Sequence, residues 1–152
     1  MLTDPQIIDA ARQLIEDVGV GCLVTIGPDQ RPYARYMGAV PGDEALNWFY
    51  SLSAHATQKV EHLREHAEVC WVFADANYEN VATLHGKARI EPTSEMPASV
   101  YDRLIEFARP YAVNVLTDPH HHQYEAIITQ VETVELLSPE KGLTTPRQVQ
   151  TP

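Results

Sequence analysis

The sequence predicts a mainly β fold with helices (α+β): a six-stranded antiparallel β-barrel with helical caps. Three observations predict it. Short runs rich in β-branched and aromatic residues recur, separated by turn clusters such as Gly27-Pro28-Asp29-Gln30 and Pro41-Gly42-Asp43-Glu44. Helical periodicity is confined to a first segment and two later ones. Short strands joined by tight turns pair antiparallel, and that order favours a closed barrel over a doubly wound sheet.

The elements follow in order. Asp4-Pro5 is a helix start, with a capping oxygen and a residue whose missing N–H is no loss in the first turn. Ile7, Ile8, Ala11, Leu14, Ile15 and Val18 make one apolar face, and Gly19 and Gly21 end the helix, so it runs from Asp4 to Val18. Cys22 to Ile26 is a strand. Arg31 to Val40 resumes as a second, and Leu46 to Leu52, with Trp48, Phe49 and Tyr50, is a third. Thr57 caps a short helix reaching His66. Glu68 to Ala74 and Asn80 to Glu91 are the next strands, joined by the turn at Asp75-Ala76-Asn77-Tyr78. Gly86, in mid-strand, marks a bulge or a close approach. Ser94 to Ala108 is helical, Arg109 to Gln123 is a loop rich in proline and histidine, and Tyr124 to Leu137 is the last strand. Residues 1–138 form one domain. The segment 139–152 has three prolines and no periodicity and reads as a flexible tail.

Composition narrows the function. A chain of 152 residues can bury a core without disulfides or metals. A formal charge of −10 argues against nucleic acid and against an acidic membrane surface, since both require a basic face. It leaves room for a small phosphorylated ligand, which one or two placed cations can hold. Cys22 and Cys70 sit in apolar runs without a CxxC spacing and read as buried, reduced thiols. No secretory signal and no spanning apolar stretch is visible, which points to a cytoplasmic protein.

Chemistry-bearing residues have two readings each. His62 and His66 stand four apart on a helix, as a metal pair or as a solvated face. His120-His121-His122 beside Asp118 is a loop tract that can chelate a metal adventitiously. His85 is a proton donor or a packed strand residue. Lys59 lies in the first turn of its helix, where the field of the helix dipole disfavours a structural lysine and favours an anion. Arg35 and Lys59 are otherwise ordinary surface cations. No GxSxG, GxxxxGK[ST] or GxGxxG motif is present.

The succession Arg31-Pro32-Tyr33-Ala34-Arg35-Tyr36-Met37, Leu46-Asn47-Trp48-Phe49-Tyr50-Ser51 and Thr57-Gln58-Lys59-Val60-Glu61-His62-Leu63 resembles the pyridoxamine 5'-phosphate oxidase-like split-barrel flavoproteins, and the general stress protein 26 branch above all. The strand end Val81-Ala82-Thr83-Leu84-His85-Gly86-Lys87-Ala88 is similar to that branch too. The resemblance extends from Asp4 to Leu137. It implies a split barrel binding flavin mononucleotide (FMN), with Arg35 and Lys59 on the phosphate and Thr57 adding a hydroxyl. Tyr36 and Met37 would meet the ring edge, and the strand at Tyr50 and Ser51 would offer it backbone hydrogen bonds. Gln58 stands where the family often has an arginine. The resemblance also implies a homodimer, with Trp71 and Phe73 either at its interface or in the monomer core. The implied activity is that of a flavin-dependent oxidoreductase with an unassigned small-molecule substrate or electron donor. Alternatives are a non-catalytic flavin-binding or stress-response protein, and a relative that takes haem or a deazaflavin (F420). The stretch Glu135 to Leu143 lacks the tryptophan, arginine and histidine of true pyridoxamine phosphate oxidases, so efficient vitamin B6 oxidation is not expected.

Overall fold

The amino-terminal helix sets one wall of the core in this computed structural model, which describes residues 1–55, 57–112 and 124–152. Helix α1 spans Asp4–Val18 and lays Ile7, Ile8, Ala11, Leu14 and Ile15 against the sheet. Thr3 rather than Asp4 takes the N-cap position, and its N–H donates to Gln6 Oε1 at 2.9 Å. Gly19 ends the helix at φ 69°, a left-handed turn that costs glycine nothing.

Strands β1 (Val20–Ile26) and β2 (Pro32–Gly38) form a hairpin in which Leu23 faces Arg35 and Thr25 faces Tyr33. The extended run continues past β2, but Ala39 turns its N–H to the Gly19 carbonyl, 3.0 Å away. It resumes as β3 (Val40–Pro41), which pairs with β4 (Trp48–Ala54) instead of β1. One stretch read as a single strand thus serves two neighbours, and this hand-over curls the sheet.

Helix α2 (Gln58–Glu65) and strand β5 (Glu68–Ala74) follow, then β6 (Val81–Pro92). Gly86 lies at a register shift between β6 and the next strand; a Cβ there would collide with the Gln130 carbonyl. Helix α3 covers Ala98–Ala112, later than expected. Pro97 holds Met96 extended (φ −101°, ψ 147°), so residues 93–95 form only a 3-10 turn and the helix starts beyond the proline. The expected loop from Arg109 is therefore helical to Ala112, and its remainder, with His120–His122, lies outside the described residues.

Strand β7 (Tyr124–Ser138) is 15 residues long and pairs with both β4 and β6. The segment read as a tail is ordered. A 3-10 turn at Pro139–Lys141 leads into β8 (Leu143–Gln150), which pairs with β7 and buries Leu143 and Val149. Its two buried apolar side chains are too far apart to register as a period. The strands among the described residues number eight rather than six, in the order β2-β1-β5-β6-β7-β4-β3 with β8 beside β7, all antiparallel. The result is a curled half-barrel, the split-barrel architecture, with three helices packed on it.

Trp71 and Phe73 are core, not interface: neither is exposed. Their rings stack 5.6 Å apart, Phe49 meets Trp71 edge-on at 5.0 Å, and Trp71 Nε1 donates to Thr129 Oγ1. No helix among the described residues is long and apolar enough to cross a membrane.

Candidate functional site

Where β2 hands over to β3, the seam of the half-barrel opens into a cavity of 350 Å³. Arg35, Tyr36 and Met37 line it from β2, Leu52, Ser53 and Ala54 from β4, and Lys59 from α2. Leu104 and Phe107 of α3 close the far side. Phe107 can pack there because Gly19 and Gly38 leave space: added Cβ atoms would stand 3.1 and 3.2 Å from its ring.

The two cations come from distant parts of the chain. Arg35 shares the inner face of the hairpin with Leu23, because the two are register partners. Its Nη1 donates to Thr25 Oγ1 (2.7 Å), Tyr33 O (2.9 Å) and Leu23 O (3.2 Å). Lys59 stands in the first turn of α2. Burial holds its amine below the ordinary lysine value, and the charge of Arg35 lowers it further. Burial likewise lowers the Arg35 guanidinium. Neither forms an ion pair with a carboxylate among the described residues. A chain with ten excess negative charges therefore keeps two half-buried cations together and unneutralised. That arrangement is unfavourable alone and is relieved by an anion.

The start of α2 adds to the same field. Thr57 has N-cap backbone angles (φ −77°, ψ 161°), but its hydroxyl does not cap the helix. It shares a 3.0 Å hydrogen bond with Ser53 Oγ instead. No side chain at the N-cap competes for the first-turn N–H groups, which carry the positive end of the dipole.

The structure thus brings Arg35, Tyr36, Met37 and Lys59 together and joins Thr57 to the cavity through Ser53. Tyr50 and Ser51 lie outside the cavity wall. Tyr50 packs with the cluster under α3, and Ser51 is fully buried, its hydroxyl without a partner among the described residues. The wall is built by the next three residues of β4. Ser53 was legible as a same-face neighbour of Ser51, two residues on. Phe107 was not, because only tertiary packing brings α3 over the seam.

Other expectations change. His62 is buried rather than solvated: its Nδ1 lies 2.9 Å from Thr25 Oγ1, and its ring tilts against Tyr33. No group of three metal-binding side chains occurs among the described residues. His85 is exposed on the outer sheet face opposite Cys70 rather than packed. Cys22 and Cys70 are free but only half-buried, and burial pushes the Cys70 thiol up. A larger groove of 530 Å³ lies between α1 and the turn after β7. Asp9, Asp17, Asp75 and Glu140 line it against Lys141 alone, so its field repels a phosphate.

Residues 7–138 match the family model described as pyridoxamine 5'-phosphate oxidase. No curated protein sequence matches the chain. Among solved structures, a protein related to general stress protein 26 from Clostridium acetobutylicum is 18% identical over 97% of this chain and 96% of that one, with a TM-score of 0.70. A structure named F420 reductase is 16% identical over 81% of this chain and 94% of that one, TM-score 0.63. A haem-binding protein from Mycobacterium smegmatis is 15% identical over 98% of this chain and 60% of that one, TM-score 0.69. At these identities the likeness is one of fold.

Proposed function

The chain belongs to the pyridoxamine 5'-phosphate oxidase family, and from that premise we propose that it binds FMN in the seam cavity and acts as a flavin-dependent oxidoreductase. One observation carries the reading: Arg35 and Lys59 share the cavity without a carboxylate partner among the described residues. A terminal phosphate carries close to two negative charges at neutral pH and is matched by two cations and a helix start. The rest of the wall suits the flavin ring. Met37, Leu52, Leu104 and Phe107 are apolar, and Tyr36, 82% exposed, offers an aromatic edge. The residues present therefore fit the group.

Each protein group has a distinct task. Arg35 and Lys59 bind the phosphate and orient the ribityl chain. Thr57 and Ser53, bonded to each other, brace the loop between β4 and α2. Phe107 and Leu104 exclude water from one face. The flavin, when bound, supplies the hydride and electron chemistry. Its substrate is a small molecule other than pyridoxamine phosphate, because Glu135 to Leu143 lacks the tryptophan, arginine and histidine that the family's true oxidases carry in their carboxyl-terminal segment. The two cations on the cavity wall match a terminal phosphate, a group that FMN carries and haem does not.

The working unit is a homodimer, and its contact surface is the outer face of β1, β2 and β5. Cys22, Val24, Tyr36, Cys70 and Val72 share that face by register and are half-buried or exposed in the single chain. Light scattering tests it; a monomer refutes it.

The test of the cofactor is an absorbance spectrum of the purified protein with and without added FMN. A bound-flavin spectrum at one FMN per chain is expected; a haem spectrum, or no uptake, overturns the reading. Reduction by a nicotinamide donor and reoxidation by an acceptor marks an oxidoreductase. A bound spectrum with neither marks a flavin-binding protein, overturning the catalytic half alone.

A further inference from the structure

We propose that His62 and Thr25 are positioning residues: a buried relay from α2 through β1 to β2 that presents one edge of Arg35 to the phosphate. This rests on the flavin-phosphate reading above.

Chemistry fixes one of the two hydrogen-bond directions. A guanidinium only donates, so Thr25 Oγ1 accepts from Arg35 Nη1 at 2.7 Å. The hydroxyl has one hydrogen left. Thr25 is fully buried, and the ring nitrogen 2.9 Å away is His62 Nδ1. In the relay the hydroxyl donates there and Nδ1 accepts, the tautomer that carries its proton on Nε2. His62 is itself 4% exposed and wedged against Tyr33, with ring centroids 4.9 Å apart, which holds the acceptor in place.

The relay acts on a particular edge of the arginine. All three protein bonds use Nη1. Nε and Nη2, the side-on fork that matches two oxygens of a phosphate, have no hydrogen-bond partner among the described residues. Lys59 and Arg35 repel each other. Without the anchor, the guanidinium would swing from its neighbour toward water. His62 follows Lys59 by three residues on α2, nearly one turn, so the same helix that carries the second cation also holds the first. The site's two charges are thereby kept at a set separation before the ligand arrives, which is preorganisation.

The test compares wild type with Thr25→Val, Thr25→Ser, His62→Leu and His62→Asn, measuring affinity for FMN and for riboflavin, which lacks the phosphate. Thr25→Val and His62→Leu are expected to weaken FMN about tenfold and leave riboflavin within about twofold. Thr25→Ser restores the hydroxyl and His62→Asn an acceptor near Nδ1, and both are expected to recover most of the loss. Equal losses for the two flavins, or an unchanged FMN affinity in folded Thr25→Val, overturn the relay. Nitrogen NMR of the His62 ring in unliganded wild type decides it without any variant or flavin: an unprotonated Nδ1 is expected at mildly alkaline pH, and a protonated Nδ1 refutes it. A wild type that binds neither flavin overturns the flavin reading instead, and the ring nitrogens still judge the relay.

Discussion

Replacing Lys59 with methionine is expected to weaken FMN binding while making the unliganded protein more stable. Methionine keeps an unbranched apolar stem in the cavity wall and removes only the charge. A hydrogen bond to a charged group contributes about 1.5–3 kcal/mol, so losing it should raise the FMN dissociation constant by about one to two decades. The unliganded state changes in the opposite sense. Burial and the charge of Arg35 both disfavour the protonated amine, so the folded chain holds this proton less tightly than the unfolded chain does. The wild type therefore carries a cost at neutral pH that it sheds as pH rises through the lowered value toward the ordinary lysine range. Lys59→Met should unfold at a higher temperature than wild type near neutral pH, with the gap closing in alkali. Riboflavin affinity should barely change. Fluorescence titration with both flavins and thermal melts across pH measure all of this. A variant that loses FMN and riboflavin equally, or melts lower while binding FMN normally, would falsify the anion-site argument.

Further outcomes follow from the scaffold. Gly86→Ala forces a Cβ into the Gln130 carbonyl, and moving the β6–β7 ladder should lower stability by about 1–3 kcal/mol in denaturant titration; an unchanged midpoint would mean the bulge relaxes freely. Deleting residues 143–152 uncovers β7 and removes Leu143 and Val149 from the core, so the truncated chain should melt markedly lower or aggregate. A wild-type melt would restore the reading of that segment as a tail. The Asp75 carboxylate is held below its usual range, chiefly by the Asn80 side chain and then by the Asn80, Glu79 and Tyr78 N–H groups. Its contribution is present above the ordinary carboxylate pKa and is lost as pH falls through the lowered one. Asp75→Asn should therefore flatten the acid limb of the stability curve, and an unaltered limb would exclude that role.

Helix α1 and strand β5 were legible residue for residue, α1 from its single helical period and terminal glycine, β5 from a continuous apolar run that ends at a turn cluster. The boundary of α3 was not, since Pro97 acts on its neighbour's backbone and displaces the start. Within the site, Arg35 was named from the family resemblance alone, and Lys59 from that resemblance and its place at a helix start. Ser53, Leu104 and Phe107 join them only because β4 and α3 converge on the seam. His62 shows the reverse. Its i, i+4 spacing with His66 suggested a shared exposed face, yet α2 turns it inward to Thr25.

The sequence by itself determined the antiparallel class, most of the elements and the net negative charge. Those depend on period, turn chemistry and net charge, which are local or additive. Tertiary structure alone decided that β8 completes the sheet, that Trp71 and Phe73 are core, and that Arg35 and Lys59 meet without a carboxylate between them among the described residues. The reason is physical: burial and charge pairing depend on which distant segments come to lie together. No single stretch of chain encodes that the strand from Pro32 to Pro41 leaves one neighbour for another and opens a cavity at the crossing.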